Sequence, residues 1–161
     1  MDISRLDAAK LLALHAQIAN ELRARGITRS PNSPTGDLAE YLFCKAFGWK
    51  QADNSNAHID AIGPDGTRYQ IKGCRITRHS RSRQLSAIRD LGGAHFDFLA
   101  AVLFSEDYTV QRAASPMTRS EAARIRSGFK NGIVEDSAHV IIRIIWVLTF
   151  PRGTVIAIAE K

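Results

Sequence analysis

Three side chains carry the most chemistry in this chain: Asp60, Gln70 and Lys72. They flank Pro64-Asp65-Gly66, which reads as a three-residue hairpin loop with Gly66 in the left-handed position and Gly63 and Thr67 as the closing pair. Counting outward, Ala61 faces Tyr69, Asp60 faces Gln70, Ile59 faces Ile71 and His58 faces Lys72. Side chains alternate between faces along a strand. One face is then Ile59, Ala61, Tyr69 and Ile71, apolar enough to pack on a core, and the other is His58, Asp60, Gln70 and Lys72. A two-residue loop would set Asp60 opposite Tyr69 and mix the faces, so the polarity pattern favours the longer loop. Asp60 and the Gln70 amide oxygen are hard oxygen donors of the kind Mg²⁺ takes, leaving positions for water and phosphate. Lys72 can orient or help deprotonate an attacking water and offset charge on a phosphate. The same residue types are also ordinary on a solvent-facing polar hairpin, and spacing alone leaves both readings open.

The elements around this hairpin follow from periodicity. Residues 3–25 predict a helix, with Leu11, Leu14, Ile18 and Leu22 at helical spacing and Gly26 as its stop. After a polar loop, Ser33 is the N-cap and Pro34 the first residue of a second helix that ends at Gly48. Its apolar arc is Leu38, Ala39, Leu42, Phe43, Ala46 and Phe47. Glu40 sits at the edge of that arc, where an acid can reach around the packed face toward the sheet or form a surface salt bridge. Asp37, near the helix start, reads as a partner of the helix dipole. Strands are expected over His58–Gly63 and Thr67–Ile76, a short helix over Ser82–Leu91, and strands over Phe96–Phe104 and Tyr108–Ala113. A helix from the Thr118-Arg-Ser-Glu121 capping box to about Phe129 follows, then C-terminal strands within residues 139–160. This order predicts one mixed α/β domain over 1–161, a central β-sheet flanked by helices, with its core about residues 33–115.

Charge is concentrated directly after the hairpin. Between Thr67 and Arg89 lie Arg68, Lys72, Arg75, Arg78, Arg81, Arg83 and Arg89 with no Asp or Glu, whereas outside this stretch 15 bases face 16 acids. The net charge of +6 therefore comes from one segment. Six of its seven bases are arginines, whose planar forks suit phosphate oxygens. A polyanion is the expected partner, and nucleic acid suits the pattern better than lipid, since no polybasic amphipathic helix adjoins a membrane anchor.

Asp60, nine intervening residues, then Gln70-Ile71-Lys72, preceded by a helical Glu40, resembles the PD-(D/E)XK nuclease superfamily of restriction enzymes, resolvases and repair nucleases. The resemblance covers about residues 33–104 and implies a restriction-endonuclease-like αβββαβ core. It implies Asp60 as the metal-binding acid of the second strand, Lys72 as the catalytic lysine, the Ile71 carbonyl as a further metal ligand and Glu40 as the helical acid near the ion. Gln70 stands where most members carry Asp or Glu, which removes one negative charge, and Ile59 stands where many carry proline. Mg²⁺ is the implied cofactor, with Mn²⁺ able to substitute.

Composition bounds these expectations. A chain of 161 residues with 45% hydrophobic and 24% charged residues can bury a core, which excludes disordered and collagen-like classes. Cys44 and Cys74 lack zinc-like spacing with histidines and read as ordinary reduced thiols, and no signal or spanning stretch is evident, so a cytoplasmic protein without a membrane partner is expected. The leading expectation is a Mg²⁺-dependent endonuclease acting on DNA, most readily double-stranded. Arg75, Arg78, His79, Arg81 and Arg83 would grip the backbone, and a homodimer would serve two-strand cutting. The alternatives are a catalytically inactive DNA-binding or assembly module of the same fold, or an RNA-binding protein, for which the aromatic stacking platform is missing.

Overall fold

The computed structural model describes residues 2–53, 56, 58–80, 93–118 and 120. A 3₁₀ turn over Ile3–Arg5 precedes helix α1, Ala8–Ala24. Asp7 separates them: its carboxylate accepts the Lys10 N–H at 2.9 Å and caps α1, so the single helix expected over 3–25 starts late. Helix α2 spans Pro34–Phe47, with Ser33 as N-cap, Pro34 in the first turn and Gly48 left-handed at φ +66° donating its N–H to Cys44. The Ser33 hydroxyl meets the Thr35 hydroxyl rather than a helix amide.

Strands β1 (Lys50–Gln51), β2 (Ala61–Ile62), β3 (Arg68–Arg75), β4 (Phe98–Phe104) and β5 (Val110–Thr118) form one sheet in chain order. All neighbours are antiparallel except β3 and β4, which run parallel. The described residues are therefore a mixed α/β fold with a five-stranded mixed sheet and two helices. β4 is apolar throughout, and both of its faces are buried: Ala100, Val102 and Phe104 toward α2, Leu99, Ala101 and Leu103 away from it. β5 runs past its expected end at Ala113 to Thr118. The register shifts between the Leu99 and Ala101 pairs, and Pro116, which has no N–H for a ladder, falls in that shift. The helix expected over 82–91, the rest of the 118–129 helix and the strands of 139–160 lie outside the described residues.

α2 is held against the sheet by its apolar arc. Ala39 and Phe43 are buried against Ala61, Ile71, Ala100, Val102 and Phe104. The approach is closest at Gly73, where a Cβ would lie 2.5 Å from the Thr35 carbonyl oxygen. Only glycine lets the first turn of α2 lie on β3 at that height. Phe43, Trp49 and Tyr69 then stack in series, with Trp49 and Tyr69 centroids 3.7 Å apart, and tie the end of α2 to the hairpin. That packing sets the position of Glu40, one residue past Ala39. Among the described residues no helix is long and apolar enough to cross a membrane.

Candidate active site

The hairpin turn forms as its residues predict. Gly63 N–H donates to Thr67 at 2.8 Å, Gly66 takes φ +83°, and Ala61 pairs with Tyr69. Beyond Ala61 the expected ladder does not continue: β2 is two residues long, and Asp60–Gln70, Ile59–Ile71 and His58–Lys72 are not strand pairs. Local chemistry ends it. The Asn56 side-chain oxygen accepts the His58 and Ile59 N–H groups, each at 3.2 Å, in place of a neighbouring strand.

Asp60 is locked where the strand stops. Its N–H donates to the Tyr69 carbonyl at 2.9 Å, its carbonyl accepts the Ala52 N–H at 3.0 Å, and its carboxylate accepts the Ile71 N–H at 2.6 Å. Backbone and side chain are thus fixed from both flanking strands. Burial raises the Asp60 carboxyl above its ordinary range, opposed by the charge of Lys72, the Ile71 N–H and the charge of Arg29. Glu40 is also raised, first by burial and then by the charge of Asp60. The structure therefore brings Glu40 and Asp60 into electrostatic contact, although they stand twenty residues apart in sequence.

Gln70 and Lys72 share the face of β3 opposite α2, as alternation requires, because Ile71 and Gly73 point to α2. That face is not the solvent-facing surface the hairpin pattern suggests at Gln70, which is only 2% exposed. Its side-chain oxygen is buried and has no hydrogen-bond partner among the described residues. Lys72 is half-buried, and its charge acts on Asp60. Asp60 is thus within electrostatic reach of both Lys72 on β3 and Glu40 on α2.

Two residues that the sequence did not single out hold Glu40. The Arg29 guanidinium bonds to Glu40 Oε2 and donates to the Ala52 carbonyl at 2.5 Å, and Gln51 Nε2 donates to the same Glu40 oxygen at 3.0 Å. Asp37 anchors the Arg29 loop by accepting the backbone N–H groups of Arg29 and Ser30, both at 2.8 Å, a tertiary role beyond its dipole position. An arginine in a polar loop and a glutamine in a two-residue strand carry no periodic signal, so neither was legible. Cys44 lies within reach of these charges, and burial together with Glu40 pushes its thiol up to about 11, an unreactive state.

The arginines assigned to phosphate divide. Arg75 is three residues beyond Lys72, about 10 Å at strand rise, and on the α2 side it donates to the Tyr108 hydroxyl at 2.9 Å and lies over that ring. Arg78 is exposed and bonds Glu106 at 3.2 Å, and Arg68 forms a forked pair with Asp97. His79 is exposed, whereas Arg81 and Arg83 lie outside the described residues. His58 does not approach Lys72 across paired strands; its ring stacks on His95 with centroids 4.2 Å apart.

Among the described residues no group of three or more His, Cys, Asp or Glu side chains converges as a metal site. The donor set available to an ion is therefore two carboxylates, Asp60 and Glu40, supplemented by neutral oxygens. The Gln70 side-chain oxygen, buried without a hydrogen-bond partner among the described residues, and the Ile71 carbonyl are neutral oxygens of the kind such an ion takes. A hard ion that keeps several waters suits so sparse a set. Compared with known proteins, the chain matches no family model and no curated protein sequence.

Proposed function

We propose that this chain is a Mg²⁺-dependent endonuclease of the PD-(D/E)XK kind, with Mn²⁺ able to substitute, that hydrolyses phosphodiester bonds of duplex DNA. The observation that carries the reading is the Glu40–Asp60 acid pair. Both carboxyls are partly buried and raised by that burial, and the charge of Asp60 raises Glu40 further; such a pair costs stability, and a divalent cation offsets that cost. Asp60 and Glu40 hold the ion, with Gln70 and the Ile71 carbonyl as neutral ligands. When bound, the ion supplies Lewis acidity at the phosphate and makes water a better nucleophile. Lys72 orients that water toward phosphorus and offsets the charge that develops on the phosphoryl oxygens. The water oxygen forms its bond to phosphorus as the bond to the leaving sugar oxygen breaks. Arg78, His79, Arg81 and Arg83 hold the backbone beside the scissile bond, and a homodimer supplies the second site for cutting both strands.

Plasmid nicking with and without Mg²⁺ tests this reading: wild type converts supercoiled plasmid only with the ion, and Asp60→Asn and Lys72→Met do not. One observation favours a second reading. Gln70 brings no charge to the site, and Glu40 is already bonded to Arg29, as suits a DNA-binding or assembly module of the same fold. DNA binding without ion-dependent nicking in the wild type selects that module.

A further inference from the structure

Arg29 is built into the site more deeply than a surface ion pair requires. Its side chain is 25% exposed and that of Glu40 13%. One guanidinium nitrogen is committed to the Ala52 carbonyl and another to Glu40, while Nε is buried with no hydrogen-bond partner among the described residues. Two carboxylates fix its loop and its head: Asp37 takes the Arg29 and Ser30 backbone amides, and Glu40 takes the guanidinium. Its charge also acts on Asp60. The cation is therefore delivered to the acid pair by a preorganised loop, yet it leaves one of its own donors unsatisfied. An unpaired buried N–H is costly, so the arrangement is not an optimum for the arginine itself.

We propose that Arg29 is a displaceable counter-cation: it neutralises the Glu40–Asp60 pair in the metal-free protein and gives up its bond to Glu40 when a divalent ion binds. The proposal rests on the metal-dependent reading above. A cation that must be displaced weakens ion affinity by whatever it contributes in the metal-free state. Arg29 thereby makes the metal-free fold tolerable and sets a threshold of ion concentration below which the site stays closed to Mg²⁺. Gln51, the other donor to Glu40 Oε2, is neutral and can keep the carboxylate oriented after the arginine has left.

The test is calorimetric titration of the full chain with Mn²⁺ or Mg²⁺ alone, without DNA, together with thermal melts at several ion concentrations. The proteins are wild type, Arg29→Met and Asp60→Asn. Arg29→Met, which keeps the aliphatic stem and removes the charge, is expected to melt below wild type without ion. It is also expected to gain more from added ion and to bind it about tenfold tighter, whereas Asp60→Asn binds weakly or not at all. If wild type binds and Arg29→Met binds equally or more weakly, Arg29 is a fixed structural partner and the proposal is overturned. If wild type itself binds no ion, the metal-dependent reading falls and takes the proposal with it, an outcome recognisable without any Arg29 variant. Should Arg29→Met fail to fold, Arg29→Lys keeps the charge and loses the two-pronged bond. A gain of about threefold in ion affinity then supports displacement, and no gain refutes it.

Discussion

Beside β2, two acids from distant parts of the chain come into electrostatic contact, and burial raises the proton affinity of both; along β3 and just beyond it, arginines that look uncompensated in sequence have found partners. Arg29 offsets both acids, Gln51 adds a hydrogen bond to Glu40, and the Ile71 N–H and the charge of Lys72 act on Asp60. Arg68, Arg75 and Arg78 instead meet Asp97, Tyr108 and Glu106. Charge density along a sequence and charge density in space therefore differ in opposite directions at the two places. The acid pair concentrates one sign in a small space, where Arg29 and Gln51 bond Glu40 and three hydrogen bonds fix Asp60. The basic stretch is partly resolved by folding, and it presents less free charge than its seven bases suggest.

The largest expected effect would break the acid side of this contrast. Asp60→Asn and Lys72→Met should each reduce ion-dependent nicking by at least ~100-fold. Asp60→Ala should also lower stability by about 1–3 kcal/mol, because the Ile71 N–H loses its acceptor. Lys72→Met should melt near wild type, so melts run beside nicking assays separate the two roles. Near-wild-type nicking by either Asp60→Asn or Lys72→Met would remove the site assignment.

A smaller effect sharpens the charge balance. Gln70→Glu adds a carboxylate where the described residues leave a buried oxygen without a hydrogen-bond partner. Without ion this variant should be less stable than wild type, since the new charge is 2% exposed at its residue. With ion it should bind more tightly by calorimetry, and Gln70→Ala should bind less tightly. Unchanged affinity in both would show that Gln70 is not a ligand and would favour the non-catalytic module.

The acid pair should also write itself into pH dependence. A carboxyl raised in the folded state holds its proton to higher pH when folded than when unfolded. Its unfavourable contribution is absent below the unfolded value and is complete above the folded one. Ion-free stability should therefore fall as pH rises through the interval just above ordinary carboxylate values. Glu40→Gln should flatten that fall, and saturating Mg²⁺ should suppress it in wild type. Melting temperatures across that interval that do not change would show the pair carries no such cost.

The smallest effects distinguish an exposed arginine from a half-buried one. Arg78→Ala should make the log–log salt dependence of DNA binding shallower by about 0.9, the value of one duplex phosphate contact, with little change in melting. Arg75→Ala should do the reverse, lowering stability through the lost Tyr108 contact with little change in slope. An equal slope change from both would mean that Arg75 leaves Tyr108 to meet phosphate.

Local chemistry made some elements legible in the sequence. Gly66 and the alternation around it specified the turn and the Ala61–Tyr69 register, because a one-residue slip would have turned Tyr69 out of the core. Ser33, Pro34 and Gly48 marked the ends of α2, since caps act within a turn of their own residue. The unbroken apolar run of β4 announced a strand. Glu40 at the edge of an apolar arc was likewise readable, because helical spacing alone sets which side of a helix a residue takes.

What only the tertiary structure decided lies where the chain meets itself across long separations. Asn56 ended the hairpin ladder early, so Asp60 and Gln70 are not the strand pair that counting predicts. Arg29 reached Glu40 because Asp37 tethers its loop, and Gly73 admitted α2 close enough to bring that glutamate to the sheet edge. Asp97, Glu106 and Tyr108 took arginines that no neighbour in sequence could hold. Periodicity and caps are short-range properties written in consecutive residues. Partnership between charges depends on distance in space, which the packing of α2 on β3 and the parallel pairing of β3 with β4 alone determine.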